Sequence, residues 1–388
     1  MGLVQELAER ARATGRLGID TEFMGEGRYR ALLCLVQVAV DEGERVEVLD
    51  PLEGGLDPQP LAEVLADPEI EIVMHAGRQD VALLRRVWET EVTNVFDTQI
   101  AAGFAGLRAQ LGYEPLLSEV IGVKLRKSAS FTRWDARPLS PEQVEYARED
   151  VLHLIQLAQA LQDRLAGMGR LEWAREECRF LEDATDIREI DTVFDRLPRV
   201  NSLDPNQRAV ARELAAWREQ TARESDRPIQ TVLSDAGLIE IAKRRPKSLE
   251  RLRQIRGINE GTMQRRGKQL IEVVERARDN DPIPVEGERP AQPHPEDAVL
   301  IALGESLVRA RALESKIAYE LIAAKADLQR IALAVRDGQP EPEVRTLAGW
   351  RRELVGAELI DLLEGNLTLG IGPDRRLQVD PRARPADA

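Results

Sequence analysis

Cysteine is nearly absent from this chain: only Cys34 and Cys178 occur in 388 residues. One lies in an apolar run and the other in a charged helical stretch, so there is neither a disulfide framework nor a thiolate metal site, and both read as ordinary reduced thiols. Histidine occurs three times, with no pair at the spacing of a zinc motif. Aromatic residues make up 4%. No run approaches the ~18 apolar residues that span a bilayer, and the opening MGLVQELAERARATGR has no apolar signal-peptide core. These absences predict a cytoplasmic protein with no membrane partner. An exposed apolar stripe and a coiled-coil repeat are also missing, which predicts a monomer.

What is plentiful is charge, at 31% of residues, with acids in excess and a formal net charge of −14. That balance excludes a protein that coats nucleic acid through its whole surface, because phosphate neutralisation needs clustered Lys and Arg. Locally the sign reverses. From Lys243 to Lys268 there are ten Lys or Arg against two Glu, a phosphate-facing stretch that includes Arg244, Arg245, Arg265 and Arg266. A second basic stretch carries Lys124, Arg126, Lys127, Arg133 and Arg137.

At roughly 100–200 residues per domain, the length implies two or three domains. The first part alternates strand-like and helix-like runs: LGIDTEF, ALLCLVQVAV and RVEVLD as strands, LAEVLAD as helix, EIVMHA as strand and DVALLRRVW as helix, an α/β pattern. The loop between the second and third runs is too short for a helical crossover, so the opening strands should pair antiparallel in a mixed sheet. Beyond about Ser140 strand signals stop. SPEQVEYAREDVLHLIQLAQALQDRL carries apolar residues at helical spacing behind Ser140 as N-cap and Pro141 in the first turn, which predicts one long amphipathic helix. The expected organisation is an α/β unit over residues 1–170, a helical connector over 171–200, a helical unit over 201–281, a Pro-rich linker over 282–296, a second helical unit over 297–372 and a disordered tail over 373–388.

Asp20 and Glu22 occupy positions i and i+2 of a strand, so their carboxylates share one face. Beside Leu17 and Ile19 that strand is mostly buried, and two like charges there repel unless cations neutralise them. Hard oxygen donors so placed favour Mg²⁺ or Mn²⁺, a solvated strand end being the alternative. His75 and Asp80 stand where a strand ends and a helix begins; a first-turn carboxylate is also favoured by the helix dipole alone. Tyr146 and Asp150 lie four apart on one helical face. A Tyr so placed could hold a water beside a metal ligand, or simply pack.

The whole series, DxE on a strand, HxxxxD at a strand–helix junction and YxxxD on a late helix, resembles the DEDD exonuclease superfamily, in its Tyr-containing branch, and within it the ribonuclease D family. FDTQIAAGF and LRKSASFTRWDARPLSPEQVEYAREDV are similar to segments of that family. SLERLRQIRGIN resembles a helicase-and-RNase-D C-terminal (HRDC) domain, and IAAKADLQRIA with LAGWRRELVGAELIDLL a second, divergent copy. The resemblance implies an RNase H-like mixed-sheet 3′–5′ exonuclease domain followed by two all-α HRDC-like domains. Only about sixteen residues precede LGIDTEF, where family members usually carry an extra strand.

By this resemblance Asp20, Glu22, Asp80 and Asp150 bind two divalent ions, Mg²⁺ or Mn²⁺. One lowers the pKa of the attacking water and the other stabilises the leaving 3′ oxygen. Tyr146 orients the water, Glu22 also meets the terminal 3′ hydroxyl, and His75 supports Asp80. Phe23, Met24, Phe131 and Trp134 are candidates to stack or wedge terminal bases, with core packing the alternative. Lys127 and the four arginines of the basic run are candidates for phosphate contact. The implied activity is 3′-to-5′ exoribonucleolytic release of nucleoside 5′-monophosphates, trimming tRNA precursors and other stable RNAs. The acids alone do not separate RNA from DNA as substrate; the HRDC-like units imply RNA.

Overall fold

The computed structural model describes residues 2–108, 110–125, 133–285 and 294–382. Helix α1 (Leu3–Thr14) ends at Gly15, whose left-handed φ of 71° turns the chain into strand β1 (Arg16–Met24). Strands β2 (Leu32–Val40) and β3 (Arg45–Leu49), helix α2 (Gln59–Leu65), β4 (Glu71–Met74), α3 (Arg78–Val87), β5 (Val95–Asp97), α4 (Thr98–Phe104) and α5 (Tyr113–Val120) follow. The sheet order is β3-β2-β1-β4-β5. β1 and β2 pair antiparallel, as do β2 and β3, whereas β4 joins β1 and β5 joins β4 in parallel. The short loops thus give the antiparallel half and the helical crossovers the parallel half.

Side-chain alternation along β1 divides the sheet's two faces. Leu17 and Ile19 enter a core with Leu7, Ala8 and Ala11 of α1, Leu61 of α2 and Val81 and Leu84 of α3. The opposite face packs on α4, α5, α6 (Pro141–Leu152), α7 (Leu154–Gly167) and α8 (Leu171–Glu182). Ser140 caps α6 as expected, accepting from the Gln143 N–H while the Gln143 side chain accepts from the Ser140 N–H.

The single long helix expected here is broken. His153 leaves helical geometry at φ −110°, ψ 9°, separating α6, which lies against β2 and β3, from α7, which lies against β1 and β4. A twisted sheet presents those strand pairs at different angles, and one straight helix cannot follow both. Gly43 (φ 92°) approaches this break so closely that a Cβ there would stand 2.5 Å from the Leu152 carbonyl oxygen.

The chain continues through α9 (Ile190–Asp195) into a helical unit of α10 (Pro205–Ser225), α11 (Ile229–Val232), α12 (Asp235–Arg244), α13 (Leu249–Arg253) and α14 (Glu260–Arg276), which builds its own core around Val210, Leu214, Leu238, Leu252 and Leu270. A second helical unit contains α15 (Pro295–Ser315), α16 (Tyr319–Ile322), α17 (Lys325–Arg336), α18 (Gly349–Arg351) and α19 (Ala357–Leu363), with a π-helical turn at Arg352–Gly356. It does not stand apart. Its Leu307, Ile331, Trp350 and Leu359 share one core with Phe96, Phe104 and Leu161 of the sheet-bearing unit. The rings of Phe104 and Trp350 meet edge-on at 4.8 Å, and the buried Glu177 of α8 faces Arg351 at 2.7 Å.

Strand signal also returns where none is expected. β6 (Leu367–Ile371) and β7 (Leu377–Pro381) form an antiparallel hairpin. Residues 373–382, expected as a disordered tail, are therefore ordered, because Leu367, Leu369 and Val379 pack on the second helical unit's core. Among the described residues no helix is long and apolar enough to cross a membrane.

Candidate active site

Asp20 and Glu22 lie on the β1 face turned to α6, alternating with Thr21, which faces α3. A register irregularity between Glu22 and Phe23 ends the regular pairing immediately after the second acid. Asp80, in the first turn of α3, is buried and accepts a hydrogen bond from the Thr21 hydroxyl. Asp150 and Tyr146 descend from one face of α6.

The four acids form one electrostatic unit. Burial, and then the charges of Asp80, Asp150 and Glu22, raise the Asp20 carboxyl well above its ordinary range. Glu22 is pushed up to about 8 by burial and by Asp150 and Asp80. Asp150 reaches about 7 through burial and neighbouring Glu149. Asp80 reaches about 6, burial being partly offset by the Thr21 hydrogen bond. Among the described residues no Lys or Arg forms an ion pair with any of the four. Largely desolvated carboxylates without a paired cationic side chain, two of them raised further by the others, make a donor set suited to hard divalent cations. The set is not a closed cage: no three His, Cys, Asp or Glu side chains among the described residues already converge on one ion position, Asp80 being turned to Thr21.

Burial and the same acids raise the Tyr146 phenol, keeping it protonated beside Asp150, Glu22 and Asp20. His75 does not meet Asp80 through any hydrogen bond among the described residues. Its Nδ1 lies 2.9 Å from the Thr98 hydroxyl, which itself donates to the Met74 carbonyl. In the neutral imidazole Nδ1 takes part in that bond, and Nε2 is buried without a hydrogen-bond partner among the described residues. Burial lowers the imidazole pKa, which favours this neutral form. The support for Asp80 assigned to His75 comes instead from Thr21, whose hydroxyl reaches the carboxylate directly.

Three polar residues near the acids escape motif reading. Thr21 is one. Gln37 is fully buried directly across from Asp20 in the β1–β2 register, with neither amide atom partnered. It is the one polar residue in LLCLVQVAV, the only signal that marks it. Tyr113 meets His75 with the ring planes tilted by 54° and the centroids 5.4 Å apart, its buried hydroxyl unpartnered among the described residues and its pKa raised first by burial and then by Asp150 and Asp20.

The aromatic candidates separate. Trp134 is buried with Cys34, Leu35 and Ala147, its ring 6.0 Å from that of Tyr146. Met24 packs on the same cluster, so both build the wall behind the Tyr146 helix rather than an open stacking platform. Phe23 is half-buried against the α3 side of the sheet. Lys127 and Phe131 lie outside the described residues.

Residues 2–166 match the family model described as 3′-5′ exonuclease, and residues 207–274 match that of the HRDC domain. Over 373 residues the chain is 36% identical to ribonuclease D of Gluconacetobacter diazotrophicus, spanning 95% of this chain and 93% of that one. The chain belongs to the ribonuclease D family. Ribonuclease D of Pseudomonas paraeruginosa is 33% identical over 360 residues, 90% of this chain and 92% of the other. Among solved structures, Escherichia coli RNase D, described as an exoribonuclease involved in structured RNA processing, aligns with a TM-score of 0.82 at 29% identity over 93% of this chain and 96% of that one.

As a ribonuclease D, the protein is a 3′–5′ exoribonuclease with an RNase H-like mixed-sheet domain, a helical HRDC region and RNA as its substrate. The arginines singled out in the HRDC region occupy two places. Arg244 and Arg245 end α12, and Arg244 is tied to Glu240 at 3.3 Å. Arg265 and Arg266 lie on α14, where burial and then Arg265 and Arg227 hold Arg266 below its usual pKa. Arg227, Arg265 and Arg266 therefore form one cationic cluster.

Proposed function

We propose that this ribonuclease D removes nucleotides singly from RNA 3′ ends by two-metal-ion hydrolysis, releasing nucleoside 5′-monophosphates and trimming tRNA precursors and other stable RNAs. We place it in the cytoplasm as a monomer. The supporting observation is the gathering of half-buried Asp20, Glu22 and Asp150 with buried Asp80, in which Asp80 and Asp150 add to the rise that burial imposes on Asp20 and Glu22, and none of which pairs with a cationic side chain among the described residues.

These four would hold Mg²⁺ or Mn²⁺. Bound divalent ions supply a more acidic attacking water and neutralise charge at the leaving 3′ oxygen. The rest is the work of the chain. Tyr146, kept protonated beside Asp150, orients the attacking water through its hydroxyl. Glu22, at the end of the regular β1 pairing, receives the terminal 3′ hydroxyl, which favours a free end over internal cutting. Thr21 fixes the Asp80 carboxylate from the opposite face of β1.

The test is digestion of a 5′-labelled tRNA carrying a 3′ extension, and of a matched DNA strand, with Mg²⁺, Mn²⁺ or EDTA, with chromatography of the products. Stepwise metal-dependent shortening of the RNA with nucleoside 5′-monophosphate release is expected. Release of larger fragments, or equal cutting of the DNA, overturns the reading.

A further inference from the structure

Strand β2 reads LLCLVQVAV, and its side chains divide between the two faces of the sheet. Val36, Val38 and Val40 enter the core shared with α1, α2 and α3. Leu35 packs with Ala147 of α6, and Ala39 with Val151 of α6 and Ile155 of α7. Gln37 lies between Leu35 and Ala39, so alternation turns its side chain to the face that α6 and α7 cover.

On that face its polar neighbours within the sheet are acids. Gln37 pairs with Asp20 of β1 on one side and with Val48 of β3 on the other. The next pairs along the same face join Glu22 to Leu35 and Gly18 to Ala39, which sets Glu22 on the diagonal. Side chains directly opposite in an antiparallel pair stand about 4.5–5.5 Å apart at Cβ. Rotation about its own side-chain bonds lets a glutamine amide span that gap.

The amide is nevertheless unpaired. Gln37 is 0% exposed, and neither its Oε1 nor its Nε2 has a hydrogen-bond partner among the described residues. A buried amide without partners destabilises a fold, whereas an apolar side chain of the same shape does not. A methionine would fill this space in an otherwise apolar strand without that cost. A native fold that keeps an unpaired buried polar group instead points to a task for it. Here the group brings two N–H donors to the side of the first acid of the site.

We propose that Gln37 is a positioning residue of the acid site: its amide N–H donates to the Asp20 carboxylate when the acids hold a divalent ion, and so fixes how Asp20 presents its oxygens. An ionised carboxylate is acceptor-only, and a hydrogen bond to it is about twice as strong as one between neutral groups. Such bonds orient metal-binding carboxylates and typically contribute 10–100-fold in metal affinity or activity. The site is then held from both faces of β1, Asp80 by Thr21 and Asp20 by Gln37. Stability of the metal-free fold is given up for affinity in the loaded one. The proposal rests on the four acids being a divalent-cation site and adds to that reading the residue that orients one of them.

Gln37→Met keeps the side-chain length and removes the amide, and Gln37→Leu is a second apolar replacement. Two readouts need neither RNA nor hydrolysis: Tm in EDTA by differential scanning fluorimetry, and Mn²⁺ binding to the metal-free protein by electron paramagnetic resonance of the free ion. The expected result is a Tm in EDTA about 2 °C or more above that of the native protein, together with Mn²⁺ binding weaker by about tenfold. A residue that only packs does not give these opposite signs, because losing its contacts lowers Tm. In hydrolysis, the Mg²⁺ concentration for half-maximal rate should rise by a similar factor. KM for RNA at saturating Mg²⁺ should stay native, since a fully buried side chain does not touch substrate. If neither variant melts above the native protein in EDTA, or if either binds Mn²⁺ with native affinity, the assignment is overturned while the metal site stands. If the native protein itself binds no Mn²⁺, the metal-site reading fails and this assignment falls with it.

Discussion

The hydroxyl of Thr21 donates a hydrogen bond to the carboxylate of Asp80, tying the strand that carries Asp20 and Glu22 to the helix that carries the third acid. The bond favours the charged form of Asp80 and partly offsets the rise that burial imposes on it. Thr21→Val keeps the shape and removes the donor. Because partners of metal-binding carboxylates typically contribute 10–100-fold in metal affinity or activity, the Mg²⁺ concentration for half-maximal hydrolysis should rise about tenfold. An unchanged Mg²⁺ requirement would deny Thr21 this role.

The same crowding predicts how the metal-free protein responds to pH. Folded carboxyls raised above their unfolded values bind protons more tightly in the fold, so the stability they contribute is complete below the ordinary carboxylate pKa of about 4. It is lost as pH rises through the folded values of about 6 for Asp80, about 7 for Asp150 and about 8 for Glu22. In EDTA, Tm should therefore fall between pH 5 and pH 8, and added Mg²⁺ should raise Tm more at pH 8 than at pH 5. Differential scanning fluorimetry in matched buffers checks this, and a flat or opposite trend contradicts the electrostatic description of the site.

Glu177 joins the second helical unit to the nuclease domain. Buried on α8, it receives the indole N–H of Trp350 at 3.2 Å and the Arg345 guanidinium at 2.5 Å, and stands 2.7 Å from Arg351, which approaches as an ion pair but out of line for a hydrogen bond. Glu177→Ala leaves Arg351 buried and uncompensated, a change that costs about 3–5 kcal/mol. A marked drop in Tm is expected even though the substitution lies outside the four-acid site. A Tm within a degree of the native value would show that the two units are held by their apolar contacts alone.

Within the HRDC region the two arginine pairs should differ. Arg265→Ala/Arg266→Ala dismantles a cluster of unpaired cations and should weaken binding of structured RNA with a shallower salt slope. Arg244→Ala removes a side chain already held by Glu240 and should have little effect. Filter binding across a salt series separates them. Equal effects would mean that the whole basic run acts as one diffuse surface.

Much of the site was legible because local periodicity places it. Alternation along LGIDTEF puts Asp20 and Glu22 on one face, and helical spacing does the same for Tyr146 and Asp150. In the structure Asp80 and Asp150 raise the Asp20 and Glu22 carboxyls. What local periodicity does not encode is packing between elements. The break at His153 follows from sheet twist, the burial of Trp134 from the cluster behind α6, and the order of residues 373–382 from a hairpin whose apolar residues find a core elsewhere in the chain. Gln37 and Thr21 are ordinary strand residues until pairing sets one opposite Asp20 and α3 brings Asp80 to the other. The second helical unit's union with Phe104 and Leu161 is equally invisible along the chain, because its partners lie more than a hundred residues away.

The most direct test of the four-acid site is the hydrolysis rate of Asp150→Asn, with Asp20→Asn beside it, on a 5′-labelled RNA with a single-stranded 3′ end in saturating Mg²⁺. Both substitutions keep side-chain volume, so circular dichroism should show the native fold and no cavity forms. Stepwise shortening should be abolished in each. Native-like hydrolysis in either variant would contradict it.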